Sequence, residues 1–294
     1  MTAPIQRPMH KLSPVLSVFM LDAVHEGLGN KYYKLMLNLE QVKRSGLKTI
    51  VTYGGAWSNH IYTTAMVGAQ EGLRTVGIIR GERPDQLSAT LQDAIRWGMH
   101  LVFVSRSDYR LKESASLMLF LREALREEYG EFYLLPEGGS NGLAVRGCSQ
   151  IIEDLHQYQD DYDLLVLPVG TGATLAGVVL GLGGRAQVLG ISVLKGGEFL
   201  NDEVRTYLDN ESCLERNWSI NQDFHCGGYA RCPEDLKSFI LEFEAEQQIV
   251  LDPVYTGKMM YGIEELRDKG VIAGDSKVVA VHTGGLQGRR GFNF

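Results

Sequence analysis

The sequence has few cysteines and neither a long apolar run nor a long basic run. Only four cysteines occur among the 294 residues. Cys226 and Cys232, with His225 beside them, have a spacing that fits no common zinc pattern, and there is no second pair. We therefore expect no metal and assign these cysteines to packing. No apolar run approaches the roughly 20 residues that a membrane-spanning helix needs.

The chain also lacks the features of secreted and nucleic-acid-binding proteins. Its first segment, MTAPIQRPMHKLSPVLSVFML, has a short apolar part that contains Pro14 and has no small-residue cleavage site, unlike a signal peptide. The formal net charge is −7. An acidic chain without a basic run is a poor candidate for binding nucleic acid or an anionic membrane. We expect a cytoplasmic protein with reduced thiols.

Short β patterns alternate with helical ones along the chain. Hydrophobic residues make up 44% of the sequence, enough for a substantial core and two lobes. Apolar periodicity predicts a long helix between 104 and 130 and a helix opened by Pro233, among others. This alternation favours an α/β fold of parallel sheets with helices on both faces. The predicted strands are 49–55, 75–81, 101–104, 132–139, 164–172, 188–194 and 277–285.

Two segments run from a buried strand through glycines directly into a helix. They are VTYGGAWSNH (51–60) and LPVGTGATLAG (167–177). Glycines allow a ligand to approach the backbone, and the first N–H groups of the helix then form an anion site. The alternative is that any α/β fold needs glycine at such turns. The second segment fits neither the Walker A pattern nor the dinucleotide fingerprint, which leaves a phosphate monoester as the predicted anion.

The segment GLGNKYYKL (27–35) places Lys31 and Lys34 one helical turn apart. Two ammonium groups so placed repel each other, unless an anion lies between them or one is not an ammonium. Lys34 could meet a phosphate, and Lys31 could be bound to an aldehyde as an imine. Pyridoxal phosphate (PLP) carries both groups. The alternative is a surface helix that happens to have two lysines.

Six segments that span most of the chain carry a resemblance to a known family. They are GNKYYKL (29–35), GGAWSNH (54–60), VGTGATLAG (169–177), GGYA (227–230), LDPVYTGKMMYG (251–262) and HTGG (282–285). In these segments, which occur in the family's order, the chain resembles a PLP enzyme of the tryptophan-synthase-β type (PLP fold type II). Within that type it resembles the branch of 1-aminocyclopropane-1-carboxylate (ACC) deaminase and D-cysteine desulfhydrase.

The resemblance implies a role for each matching residue. Lys31 would bind the cofactor covalently, and Asn59 would hydrogen-bond its 3-hydroxyl group. The backbone at 58–60 would bind the substrate carboxylate. Thr283 would face the pyridine nitrogen. The side chains near the reacting carbons would be Ser58, Tyr255 and, lining the pocket, Tyr229; the phosphate would be bound by Lys34, Thr171, Gly172, Ala173 and Thr174.

These residues have structural alternatives. Tyr229 and Tyr255 could be packed aromatics, and Ser58 is a good helix N-cap in its own right. His60 is expected to be structural. Asn30 could serve only the turn before Lys31.

The resemblance also implies a domain division and a reaction. Residues 1–37 and 146–294 would form the large PLP-binding domain, and 38–145 a small inserted α/β domain, with PLP in the cleft. The chain would act on a small amino acid and release an α-keto acid and ammonia. Where ACC deaminases have a Glu and a Gln, this chain has Thr256 and His60. A neutral hydroxyl in place of a carboxylate favours the D-cysteine desulfhydrase type over ACC deaminase.

Two departures and two other functions remain open. Leu28 replaces a glycine that often precedes Gly-Asn-Lys, and Ile-Tyr follows His60 instead of a basic residue, so the substrate could differ from both. The chain could instead be a nucleotide- or NAD-linked α/β enzyme, or a PLP-binding protein without turnover. A homodimer is implied by the resemblance alone.

Overall fold

A computed structural model describes residues 7–25, 27–111, 115–292 and 294, without the side chains of 115–121. The chain divides into two compact units. The first contains Met1–Lys34, Gly142–Arg289 and Phe294, and the second contains Leu35–Asn141 and Arg290–Asn293. The predicted boundaries at 37/38 and 145/146 lie a few residues later in the chain than these.

The first unit is built on a six-stranded sheet in the order β1-β2-β10-β7-β8-β9. Strands β1 and β2 are antiparallel, and every other neighbouring pair is parallel. Its strands are β1 (Met9–Ser13), β2 (Leu16–Met20), β7 (Leu164–Val169), β8 (Gln187–Ser192), β9 (Trp218–Asn221) and β10 (Val278–His282). Its helices are α1 (Leu21–Val24), α7 (Gly142–His156), α8 (Ala173–Leu182), α9 (Leu200–Asn210), α10 (Glu234–Gln247) and α11 (Thr256–Asp268).

Alternate residues of this sheet pack into two different hydrophobic clusters. Leu165 and Leu167 of β7 face the cluster that contains α7, α8 and α9. Val166, between them, faces the cluster that contains α10 and α11. Because successive side chains of a strand point to opposite faces, the sheet is covered by helices on both sides, as the apolar runs predict.

The second unit has a four-stranded parallel sheet in the order β5-β4-β3-β6. Its strands are β3 (Thr49–Gly54), β4 (Arg74–Arg80), β5 (His100–Val104) and β6 (Tyr133–Leu135). Its helices are α3 (Asn59–Gln70), α4 (Ala89–Arg96), α5 (Arg106–Arg110) and α6 (Ala115–Tyr129). The unit boundary falls within α2 (Asn30–Ser45). A 3-10 turn at Glu137–Gly139 and two others, Asp223–His225 and Leu286–Gly291, complete the elements.

Three details of the predicted elements are wrong. The strands β1, β2 and β9 are absent from the prediction, although LSVFM is a short apolar run typical of a strand. The single long helix predicted between 104 and 130 is two helices, α5 and α6. The predicted strand 132–139 ends at Leu135, and a 3-10 turn follows.

Candidate active site

The candidate residues of the first unit follow neighbouring parallel strands of its sheet. Asp22 comes after β2, Thr283 follows β10, and the glycine loop 170–172 follows β7. The carboxyl ends of parallel strands share one edge of a sheet, which is where α/β proteins bind ligands. The sheet topology therefore brings together segments that are far apart in sequence.

The start of α2 holds both lysines against the loop after β7. Lys31 Nζ donates to Asn30 Oδ1 at 3.0 Å, and Asn30 Nδ2 donates to Thr174 Oγ1 at 3.0 Å. Lys34 Nζ donates to Thr171 Oγ1 at 3.1 Å. Asn30 thus links Lys31 to α8, which is more than the turn role that the sequence suggests for it.

Burial lowers the pKa values of both lysine amines. Desolvation lowers the pKa of Lys31 to about 8, against the opposing effect of Cys148, Asp252 and Asp22. The pKa of Lys34 falls further, to about 7, because desolvation is reinforced by the neighbouring Lys31 charge. A phosphate group beside Lys34 would favour its charged form, whereas a neutral Lys31 amine is the form that attacks an aldehyde.

The loop between β7 and α8 has the form of an anion cradle. Gly172 has a φ of +79°, and a Cβ there would lie 3.0 Å from Val204 Cγ2, so both conformation and space favour glycine. Gly172 is also the N-cap of α8 and offers no side chain to its first N–H groups. Uncapped N–H groups at the positive end of the helix dipole attract an anion. Ala173 and Thr174 are buried in this first turn.

Tyr255 lies over the start of the same loop. A Cβ on Gly170 would be 3.1 Å from the Tyr255 ring and 3.4 Å from its hydroxyl oxygen, so glycine leaves the space that the ring approaches. The Tyr255 hydroxyl donates to the Tyr229 hydroxyl at 3.5 Å, with the ring centroids 6.0 Å apart. Tyr229 is 43% exposed, so it is not a packed core aromatic.

Thr256 is tied to Asp252 at the start of α11. Its hydroxyl donates to Asp252 Oδ2 at 2.8 Å and accepts from the Asp252 N–H at 2.8 Å. The Asp252 carboxylate also accepts from the backbone N–H groups of Val254, Tyr255 and Thr256. Thr256 is fully buried, and these hydrogen bonds fix the turn that leads through Tyr255 into α11.

Thr283 lies in a turn that packs against the turn before Lys31. Its carbonyl accepts from the Asn30 N–H at 3.0 Å. Asp22 lies beneath this junction, where a Cβ on Gly284 would overlap its carboxylate and one on Gly29 would lie 2.8 Å from Oδ1. Desolvation raises the pKa of Asp22, and the opposite charge of the buried His282 partly offsets it.

Ser58, Asn59 and His60 lie at the start of α3 in the second unit. Ser58 Oγ accepts from the Ile61 N–H at 3.2 Å, as an N-cap does. Asn59 Oδ1 is buried and has no hydrogen-bond partner among the described residues, so it can accept a hydrogen bond from a ligand.

His60 is only 2% exposed and serves as a structural residue. Its Nε2 atom lies 2.7 Å from Thr52 Oγ1, and that hydroxyl donates to the Leu135 carbonyl. A hydroxyl has one hydrogen to donate, so it accepts from a protonated Nε2 atom. This geometry supports the structural interpretation of its side chain.

The residues of the first unit fit a small ligand that carries a phosphate and an aldehyde. The cradle at Gly172 and Lys34 suits the phosphate, and the Lys31 amine suits the aldehyde. Residues 5–284 match the family model described as "Pyridoxal-phosphate dependent enzyme". The chain belongs to this family. Its cofactor is PLP.

Relatives and a solved structure agree with this assignment. A bifunctional D-cysteine desulfhydrase/ACC deaminase from Arabidopsis thaliana is 30% identical over 88% of this chain and 69% of its own length. A D-cysteine desulfhydrase from Klebsiella pneumoniae is 26% identical, covering 87% and 82% of the two chains. The crystal structure of an ACC deaminase homologue has a TM-score of 0.80 at 26% identity, covering 93% of this chain and 85% of that one. The predicted family, fold class and cofactor are confirmed.

Two further observations concern the described part of the chain. It contains no group of three or more His, Cys, Asp or Glu side chains placed to hold a metal. None of its helices combines the length and apolar character needed to cross a bilayer.

Proposed function

We propose that the protein is a PLP-dependent lyase that acts on a small D-amino acid with a β-leaving group, D-cysteine first. Its products would be pyruvate, ammonia and sulfide. The observation that carries the proposal is the lysine pair, held by Asn30 and Thr171 against the glycine loop. Two relatives whose names include D-cysteine desulfhydrase support this choice of substrate.

The candidate site residues of the first unit each have a role in this reaction. Lys34, Thr171 and the first turn of α8 bind the phosphate. Lys31 would hold the cofactor, and its amine could accept the proton at Cα of the substrate, because its lowered pKa keeps a share of the amine neutral near neutral pH. The bound cofactor supplies a ring that withdraws electrons from Cα.

The hydroxyls of Tyr255 and Tyr229 are suited to the leaving group. The two hydroxyl oxygens lie 3.5 Å apart beside the glycine loop 170–172. One hydroxyl can donate a hydrogen bond to the departing sulfur, while the other orients that first hydroxyl. A phenol is a weak acid and can serve as a donor at neutral pH. Thr283 would donate to the pyridine nitrogen. Ser58 and Asn59 keep the roles that the resemblance implies, and the homodimer also stays a prediction.

ACC deamination is the second candidate, because a relative with both activities and an ACC deaminase homologue match the chain. The geometry at Thr256 argues against it. A hydroxyl that both donates to and accepts from Asp252 cannot replace a carboxylate beside the substrate. This difference favours the D-cysteine reaction.

The deciding experiment is a substrate panel on the purified holoenzyme. D-cysteine, L-cysteine, D-serine, β-chloro-D-alanine and ACC are compared at equal concentration by keto-acid and sulfide release. We expect D-cysteine to give pyruvate faster than ACC gives 2-oxobutyrate. The opposite order would assign the chain to ACC deamination. A PLP spectrum without keto acid from any of them would indicate a PLP-binding protein without turnover.

A further inference from the structure

Lys258 is a buried amine that the proposed reaction does not use. It lies in the first turn of α11 and is fully buried. Its Nζ atom donates to the Gly228 carbonyl at 2.8 Å. No carboxylate within the described residues lies at ion-pair distance from it. Burying a lysine without a salt bridge lowers the stability of the fold. Its presence here therefore suggests a role other than stabilisation.

Gly228 belongs to a loop with an unusual backbone. Four of the five residues from 226 to 230 have positive φ angles: Cys226 at 51°, Gly227 at 89°, Gly228 at 120° and Ala230 at 57°. Cys226 and Ala230 are in a region that side chains disfavour, so surrounding contacts must hold the loop. Within the loop, the Gly228 N–H donates to the His225 carbonyl and the Arg231 N–H donates to the Gly228 carbonyl. Lys258 anchors that carbonyl from the helix side.

The remaining residue of this loop is Tyr229, whose hydroxyl meets that of Tyr255. Lys258 and Tyr255 are three residues apart in the chain. The segment that carries Tyr255 therefore also hydrogen-bonds, through Lys258, the backbone next to Tyr229. We infer that Lys258 is a positioning residue that holds the Tyr229 loop against Tyr255. The inference rests on the proposed function, in which these two hydroxyls serve the leaving group.

The charge of Lys258 depends on its surroundings. Desolvation lowers its pKa to about 8, and Cys226, Asp252 and Cys232 oppose this effect, Cys226 most strongly. Below that pH the amine is charged and its hydrogen bond to the carbonyl is charge-assisted, which makes it stronger. Replacing Lys258 by methionine removes the desolvation cost of a buried ammonium, and the Gly228 carbonyl keeps the Arg231 N–H as a donor, so we expect no loss of global stability. Stability and loop order should therefore respond differently to the same substitution.

The test is Lys258→Met in the holoenzyme, with Lys237→Met on α10 as the matched control. Arg231 is exposed in the loop and offers a trypsin site. Losing a hydrogen bond to a charged group should raise cleavage after Arg231 by about tenfold or more. The melting temperature should stay the same or rise. Lys237→Met should leave both unchanged. Equal cleavage rates in Lys258→Met and the native protein would overturn the inference.

Kinetics then show whether Lys258 acts through Tyr229. Because the Tyr229 hydroxyl serves the leaving group, Lys258→Met should lower kcat for the preferred substrate by a larger factor than it raises KM. In a Tyr229→Phe background the same substitution should have a much smaller effect, since residues that act through one contact are not additive. Additive effects would contradict a positioning role. If cleavage rises as expected but the native enzyme turns over no D-cysteine, the proposed substrate fails and the anchoring by Lys258 stands.

Discussion

Lys34 Nζ and Thr171 Oγ1 lie 3.1 Å apart, which joins α2 to the loop that precedes α8. The pKa of this buried amine is about 7, so at pH 8 it is mostly neutral in the apoprotein. An anion in the cradle favours the charged form. Sulfate binding to the apoprotein should therefore take up protons at pH 8 and fewer at pH 6, where the amine is already charged.

Isothermal titration in two buffers of different ionisation enthalpy measures this proton uptake. Sulfate is a suitable probe because it does not itself titrate in this range. Lys34→Met should lose the uptake and weaken sulfate binding, whereas Lys43→Met, farther along α2, should change neither. Equal uptake at both pH values would show that Lys34 does not meet the anion.

Lys31 is predicted to be the residue that binds PLP covalently. Its amine donates to Asn30, which in turn contacts Thr174 beside the phosphate cradle. Borohydride reduction of the holoenzyme followed by peptide mapping should find the pyridoxyl group on Lys31. Among the described lysines, Lys34 and Lys258 are the other buried ones with lowered pKa values, and a label on either would refute the assignment.

Tyr255 is predicted to handle a proton and not to bind the cofactor. A positioned acid or base contributes roughly 10²–10⁴-fold in rate. Tyr255→Phe keeps the ring over Gly170 and removes the hydroxyl that reaches Tyr229, so the visible spectrum of bound PLP should persist while kcat falls by about 10²-fold. Tyr261→Phe is the control, because Tyr261 lies farther along α11 and its ring packs against Phe224 and Phe239. Near-native turnover in Tyr255→Phe would exclude the assignment.

Ser58 caps a helix and is also predicted to serve the reaction, and a single substitution would not separate these two roles. Its Oγ atom caps α3 through the Ile61 N–H, and loss of a cap costs about 1 kcal/mol of stability. Ser58→Asn keeps a capping side chain and loses the hydroxyl, whereas Ser58→Ala loses both. If Ser58 serves the reaction, both variants lose turnover and only the alanine variant melts earlier. Activity retained in Ser58→Asn would reduce Ser58 to a helix cap.

Thr283 is predicted to tune the cofactor through the pyridine nitrogen. A hydroxyl can donate to an unprotonated nitrogen, whereas a carboxylate would favour its protonated form. The weaker electron withdrawal suits elimination, in which charge departs with the leaving group. Thr283→Asp should change the visible spectrum of bound PLP, slow elimination and increase side reactions such as racemisation. Thr283→Ser should resemble the native enzyme. An unchanged spectrum in the Asp variant would show that Thr283 does not face the nitrogen.

Much of the fold could be predicted because its signals are local. Apolar runs such as LLVL at the start of β7 indicate buried strands, and the spacing of Ile61 and Ala65 indicates a helix. The N-terminal strands were missed because Pro14 interrupts the run and because β10, which pairs with β2, lies more than 250 residues away in the chain. The break between α5 and α6 was missed because α5, with the sequence RSDYR, is too short to have an apolar periodicity of its own.

The sequence by itself determined the family and the cofactor and predicted Lys31 as the residue that binds it, because a glycine loop, a helix start and a neighbouring lysine are encoded within short segments. Only the tertiary structure decided how these segments serve one another. In the folded chain the Thr256 hydroxyl donates to Asp252, the Tyr255 hydroxyl donates to that of Tyr229, and the buried Lys258 donates to the Gly228 carbonyl. Hydrogen bonds and desolvation depend on which atoms come into contact after folding, and no local sequence pattern specifies those tertiary contacts.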